Sequence, residues 1–262
     1  MWSVYRARLM NSLAQIQILV ADDNEINRRF VVEALRSEVS EVLETDNGQQ
    51  AVSICTRLRP DVLLLDIHMP GMDGLETLNR IISNTTGDKY KPIAVALTAD
   101  ARQAEKERLL ANGFDAFLSK PVSSNDILQC INSLLSNTEV ALQAEQISDL
   151  RPEPVLDDQK ALRATNGSWE LLQTLRQMFS EELRVTCAEL ESRLQSGHYE
   201  PLAEQLHKLI ASAGYCGASR LSRSARDLYE SLLLQDLSRI GTAYATFLGQ
   251  SDEVQRQLQA YR

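Results

Sequence analysis

Residues 16–23, IQILVADD, form an apolar run that stops on two carboxylates. The same grammar returns three times. VLLLD (62–66) ends on Asp66, IAVALT (93–98) ends on Thr98, and AFLSKP (116–121) ends on Lys120 and Pro121. Runs this short, continuous and rich in Ile, Val and Leu are those of strands buried on both faces of a parallel sheet. The pattern predicts strands at about Ile16 to Ala21, Val42 to Thr45, Asp61 to Leu65, Ile93 to Leu97 and Ala116 to Leu118, with helical periodicity between them. Alternation of this kind gives an α/β doubly wound five-stranded parallel sheet, flavodoxin-like, and such sheets bind ligands beyond the carboxyl ends of their strands. Asp22, Asp23, Asp66, Thr98 and Lys120 all fall there, so residues far apart in sequence are expected to share one site.

Three carboxylates brought together repel one another unless a cation lies among them. Oxygen-only ligands, few in number and completed by water or phosphate, suit Mg²⁺. Asp66 then has a second role as a carboxylate nucleophile toward a phosphoryl group. The Lys120 ammonium and the Thr98 hydroxyl suit the phosphoryl oxygens, as charge and donor. Nothing in this set suits acyl transfer or redox chemistry.

With DD at 22–23, LLLDIHMPGMDG at 63–74, ALTA at 96–99 and KP at 120–121, the chain resembles the receiver domain of two-component signalling over roughly Gln15 to Leu135. The resemblance implies Asp66 as phosphoacceptor, Asp23 as a direct Mg²⁺ ligand, Asp22 as a ligand through water, and the main-chain carbonyl of His68 as a further ligand. It also implies that the backbone N–H groups of Ile67 and Ala99 face the phosphoryl group. Phe117 matches the aromatic switch position, and Lys120-Pro121 the place of a cis peptide. The His68 imidazole is expected to be a solvent-facing loop group.

A length of 262 residues suggests two domains. A net charge of -9 and a pI near 5.0 argue against a nucleic-acid footprint. Cys55, Cys130, Cys187 and Cys216 form no C-x-x-C pair and fit a reducing cytoplasm. No apolar stretch approaches the length of a membrane span, and the start has no signal-peptide core. There is no Gly-rich nucleotide loop, which disfavours an autonomous ATP-dependent histidine kinase. The expected organisation is an arm over 1–14, the α/β domain over 15–135, an acidic, Pro-ended linker over 136–154 and a second domain over 155–262.

That second domain carries helical periodicity throughout. Leu172, Leu175, Phe179, Leu183, Leu190 and Leu194 mark one apolar stripe, and Leu228, Leu232 and Leu233 another, which predicts an all-α bundle. In PLAEQLHKLIASAGYCG (201–217), Leu202, Leu206, Leu209 and Ala213 form the inward face. His207 lies off it, with Ala203, Ala211 and Gly214 as its neighbours along the helix. Residues so small are expected to leave the imidazole open to a partner. His198 reads as structural. Lys208, Arg220, Arg223 and Arg226 read as solvated helix faces, with steering of an acidic partner as the sharper alternative.

HKLIASAGYCGASRL (207–221) is similar to the histidine-containing phosphotransfer (HPt) domain, in particular that at the C-terminus of hybrid sensor kinases of the BarA and GacS type. Ile210 stands where Lys is common in that family, and Ala211 where Gly is common; the isoleucine removes a charge expected near the histidine. The two resemblances imply a phosphorelay: a sensor histidine kinase donates to Asp66, His207 takes the group, and a response regulator receives it. Two other outcomes stay open. One is a binding module switched at Asp66 through Phe117 and the Ala101 to Ala111 helix, and the other a phosphate sink.

Overall fold

The computed structural model describes residues 13–85, 90–99, 102–136, 153–165, 167–196 and 199–260, with backbone alone at 191, 195 and 196. The chain divides into two compact units, Met1–Gln146 and Ile147–Arg262. His198, Ala101 and most of the expected arm and linker lie outside the described residues.

The first unit alternates strand and helix: β1 (Gln17–Ala21), α1 (Glu25–Leu35), β2 (Glu41–Thr45), α2 (Gly48–Leu58), β3 (Val62–Asp66), α3 (Gly74–Asn84), β4 (Ile93–Thr98), α4 (Gln103–Ala111), β5 (Ala116–Ser119) and α5 (Ser124–Leu135). All strand pairings are parallel, in the order β2-β1-β3-β4-β5. The five expected strands are therefore present, their ends shifted by a residue or so. Ladder pairing sets these ends: Asp66 pairs with Leu97 and Thr98 with Ser119.

Period-two geometry sends alternate strand residues to opposite faces. Leu19, Ala21, Leu63, Leu65, Ala94 and Ala96 build a core with Ala51, Val52 and Cys55 of α2, Leu78 and Ile81 of α3, and Leu109 of α4. Ile18, Val20, Val62, Leu64 and Val95 are buried on the other side. Both faces are covered, so the strands read as continuous apolar runs. Side-chain caps start four of the five helices that follow the strands, α4 being the exception. The Asn24 amide oxygen accepts from the Asn27 N–H, Asp73 accepts from the Glu76 N–H, and Ser123 forms a capping box with Asp126.

The second unit holds α6 (Asp158–Ala164), α7 (Trp169–Ser196), α8 (Glu200–Tyr215), α9 (Ser219–Leu233) and α10 (Leu237–Ala260). Each of the four longer helices packs on the next, and α10 closes back on α7. Leu172, Leu175, Phe179, Leu183 and Leu190 of α7 are fully buried, as are Leu202, Leu206, Leu209 and Ala213 of α8. One expectation fails at the end of α9. Leu233 is 58% exposed: it is the last helical residue and lies about 100° round the helix from Leu232, which is 2% exposed on the buried face.

The junction after α8 is tightly made. Gly217 has φ +82°, and its carbonyl accepts from the Asp157 N–H at 2.9 Å. Arg176 is buried; its Nε donates to the Cys216 carbonyl at 3.1 Å, and its Nη1 pairs with Asp158 at 2.7 Å. A carbonyl orphaned at the helix end is thereby satisfied.

Candidate functional site

The strand order reverses between β1 and β3, and the cluster of charges lies there, at the carboxyl edge. Asp22 and Asp23 follow β1, Asp66 and Thr98 close β3 and β4, and Lys120 follows β5. Asp22, Asp66, Thr98 and Lys120 are all almost completely buried, whereas Asp23 is half-buried. Lys120 Nζ lies 2.6 Å from Asp22 Oδ2 and 3.0 Å from Asp66 Oδ1, so one ammonium bridges two carboxylates. Its own backbone N–H donates to the Thr98 carbonyl at 2.7 Å, and the Lys120-Pro121 peptide is cis.

Asp22 is held from several directions. Its Oδ1 accepts from the Asn24 N–H at 3.0 Å, and its carbonyl accepts from Arg28 Nη1 at 2.8 Å. Burial still pushes its carboxyl up to about 6, with Lys120 opposing the rise and Asp66 adding to it. Burial raises Asp66 too; Lys120 again opposes, Asp23 adds, and the His68 N–H lowers. Both acids are thus raised chiefly by burial, against a shared lysine, with a neighbouring carboxylate adding less.

Oxygen atoms of Asp22, Asp23 and Asp66 lie within 4.8 Å of one another. Three carboxylates at that separation, with no sulfur or imidazole among them, fit a small hard cation such as Mg²⁺.

One backbone expectation needs correcting. The Ile67 N–H donates to the Leu97 carbonyl at 3.1 Å and continues the sheet; the amide aimed at the acceptor is that of His68, 3.3 Å from Asp66 Oδ1. The ladder runs one residue past β3, a register effect that the apolar run alone does not disclose. Ala99 is buried directly after β4, and the His68 side chain is exposed, as expected. Phe117 is half-buried against the α2–α4 core, with Lys106 Nζ 4.9 Å from its ring centroid.

In the helical unit the expectation of an open imidazole is overturned. His207 is only 8% exposed, and the Tyr229 ring of α9 lies against it, centroids 5.7 Å apart and planes inclined at 55°. Ala203, Ala211 and Gly214 are buried as well. Small side chains on α8 admit a neighbouring helix as readily as they admit a ligand. Ile210 is 1% exposed, and its carbonyl accepts from the Ser222 hydroxyl of α9 at 2.7 Å. The position is core here, which accounts for isoleucine. Arg220 pairs with Glu253 at 3.1 Å and Arg223 with Glu153 at 2.9 Å, so both charges are compensated locally, which weakens the steering alternative.

Among known proteins, the family model of the response regulator receiver domain matches residues 18–132, and that of the Hpt domain matches residues 174–261. The signal transduction histidine-protein kinase BarA of Escherichia coli (strain K12) is 30% identical over 209 residues, 78% of this chain and 22% of that protein. The sensor histidine kinase GacS of Pseudomonas protegens is 31% identical over 228 residues, 84% of this chain and 24% of that protein. The chain thus spans about a quarter of the length of these relatives. The solved receiver domain of the sensor histidine kinase PA1611 from Pseudomonas aeruginosa, with a magnesium ion coordinated in its active site cleft, is 29% identical. It covers 48% of this chain and 100% of that one, with a TM-score of 0.41.

Proposed function

The chain belongs to the two-component phosphorelay family, with a response regulator receiver domain followed by an Hpt domain, and from this premise we propose that it moves a phosphoryl group from a sensor histidine kinase, through Asp66 and then His207, to a response regulator. The observation that carries the reading is the buried Lys120 bridge between Asp22 and Asp66 beside a third carboxylate. Domain limits of 15–135 and 155–262, joined by the linker 136–154, go with it. So does a cytoplasmic setting, which the four free thiols support. Among the described residues no helix is long and apolar enough to cross a membrane.

In the first step an Asp66 oxygen forms a P–O bond as the P–N bond of the donor breaks. The donor ring, protonated at its other nitrogen, leaves as neutral imidazole. Asp22, Asp23, Asp66 and the main-chain carbonyl of His68 would hold Mg²⁺, which when bound neutralises charge on the phosphoryl oxygens. Lys120 already stands 3.0 Å from the acceptor and supplies a second positive charge where the anion grows. The His68 N–H fixes the carboxylate, and the Thr98 hydroxyl sits on the adjoining strand end to receive the group. In the second step a ring nitrogen of His207 forms the P–N bond while the P–O bond breaks and Asp66 returns as carboxylate.

The test is labelling of the full chain by a small-molecule phosphodonor with Mg²⁺, reading base-labile and acid-labile phosphate. Asp66→Asn is expected to lose both. His207→Gln should keep the base-labile acyl phosphate on Asp66 and lose the acid-labile phosphohistidine. Undiminished label on another residue of Asp66→Asn would sink the scheme. The burial of His207 favours a second reading, a binding module switched at Asp66; failure of His207 to take label even from separate phosphorylated receivers would select it.

A further inference from the structure

Along β1 the side chains alternate: Leu19 and Ala21 join the core with α2 and α3, and Ile18 and Val20 are buried on the other side. An extended chain continued in that way would send Asp22 and Asp23 to opposite faces. They do not diverge. Oxygen atoms of both lie within 4.8 Å of each other and of Asp66, and the chain bends at Asp23. The peptide that joins the two acids is therefore turned out of the strand pattern, and its orientation decides whether the pair converges.

Arg28 holds that peptide. The Asp22 N–H still donates to the Thr45 carbonyl of β2 at 3.2 Å, but β2 pairs with β1 no further than Thr45, and Asn47 already caps α2. The Asp22 carbonyl accepts instead from Arg28 Nη1 at 2.8 Å. That carbonyl and the Asp23 N–H share one rigid plane, so a donor fixed on one end fixes both. Arg28 stands near the start of α1, and its Nε lies 3.4 Å from Glu44 Oε2. Its side chain is 17% exposed, and two acceptors engage a planar, preorganised group.

Resting on the reading of the three carboxylates as a Mg²⁺ site, we infer that Arg28 is a positioning residue for the Asp22–Asp23 pair: its guanidinium holds the joining peptide in the turned orientation that brings both carboxylates toward Asp66. Glu44 steadies the guanidinium from β2. Charge alone predicts the opposite consequence, since a positive group beside the cluster repels Mg²⁺ and its loss should tighten binding. A mere tie between α1 and β2 predicts a third, lower stability with Mg²⁺ affinity unchanged.

Isothermal titration calorimetry of the full chain with Mg²⁺ separates the three. Arg28→Met keeps an unbranched stem and removes the donors; its Kd should rise about tenfold, the low end for loss of a group that orients a metal ligand. Arg28→Lys keeps the charge but replaces the fork with a single ammonium. An intermediate rise is expected of it, and it carries the test if the methionine variant loses helical content. Glu44→Ala should weaken binding by a smaller factor, because the bond to the Asp22 carbonyl remains. An unchanged or lower Kd in folded Arg28→Met or Arg28→Lys overturns the positioning role, as does a wild-type chain that binds no Mg²⁺. Labelling of Asp66 by the phosphodonor, measured in parallel, should need about tenfold more Mg²⁺ in Arg28→Met and regain the wild-type rate at saturation. Weakened Mg²⁺ binding in the variants, with no label on Asp66 in any chain, counts against the relay and leaves the positioning role standing. An unchanged Kd with normal labelling of Asp66 and His207 does the reverse.

Discussion

Asp66 ends a strand with an ammonium 3.0 Å away, whereas His207 sits on a helix with a tyrosine ring against it. Both are buried, but by different neighbours. The aspartate is enclosed by charges and backbone donors delivered by four strand ends, each fixed by its ladder. The histidine is enclosed by small and aromatic groups on two packed helices. A site made at the edge of a sheet is defined by topology, and its members are the residues that interrupt apolar runs. A site on a helix face is defined by whatever packs on that face, and its own helix does not name that neighbour.

The largest expected effect tests how each site is anchored by backbone. Gly217 ends the helix that carries His207, and a Cβ there would meet the Asp157 carbonyl oxygen at 2.4 Å, at a φ of +82°. Left-handed strain and a backbone clash act together, so Gly217→Ala should destabilise the helical unit by about 3 kcal/mol. Gly74, which starts α3, would place a Cβ 2.3 Å from the Asp66 carbonyl oxygen, without positive φ. Gly74→Ala should cost about 2 kcal/mol and slow labelling of Asp66, since relief of the clash moves the strand end. Thermal unfolding of the full chain, followed by far-ultraviolet circular dichroism, ranks the two. A larger loss for Gly74→Ala would reverse the comparison.

The same contrast accounts for what the sequence discloses. IQILVADD, VLLLD, IAVALT and AFLSKP each announce a strand and a functional end, because strands buried on both faces leave polar residues only where they stop. Asp22, Asp66, Thr98 and Lys120 were legible for that reason. The His68 amide was not, since which N–H closes the ladder depends on register against β4. In α8 the inward leucines and His207 itself were legible from helical spacing. Its burial was not, because Ala203, Ala211 and Gly214 describe an empty face equally well as a docking face, and Tyr229 belongs to another helix.

A metal titration sharpens the electrostatic half of the comparison. With Mg²⁺ at about a hundred times its Kd, the receiver unit should gain about 2.7 kcal/mol. Asp23→Asn should abolish that gain and, in metal-free buffer, should match or exceed wild type in Tm, because one of three crowded charges is gone. His207→Gln should leave the Mg²⁺ shift intact. Loss of stability by Asp23→Asn without metal would show that carboxylate repulsion does not strain this edge.

The smallest effect lies in the helical unit and concerns its only described helix start after α9. Asp236 precedes α10, and its Oδ1 accepts from the Ser238 hydroxyl at 2.6 Å and from the backbone N–H groups of Ser238 and Arg239 at 3.1 and 3.3 Å. The Ser238 hydrogen bond holds the carboxyl below its usual range, with the backbone donors and the Arg239 charge assisting. A folded pKa below the unfolded one means that the stabilisation is complete above the unfolded value, about 3.9, and is lost as pH falls through the folded value. Asp236→Ala should therefore lower Tm slightly near neutrality, and the gap from wild type should close as both are acidified below about pH 4. A gap that persists undiminished in acid would mean that the residue acts through shape and not charge, so that electrostatics matter in this molecule at the sheet edge far more than in the bundle.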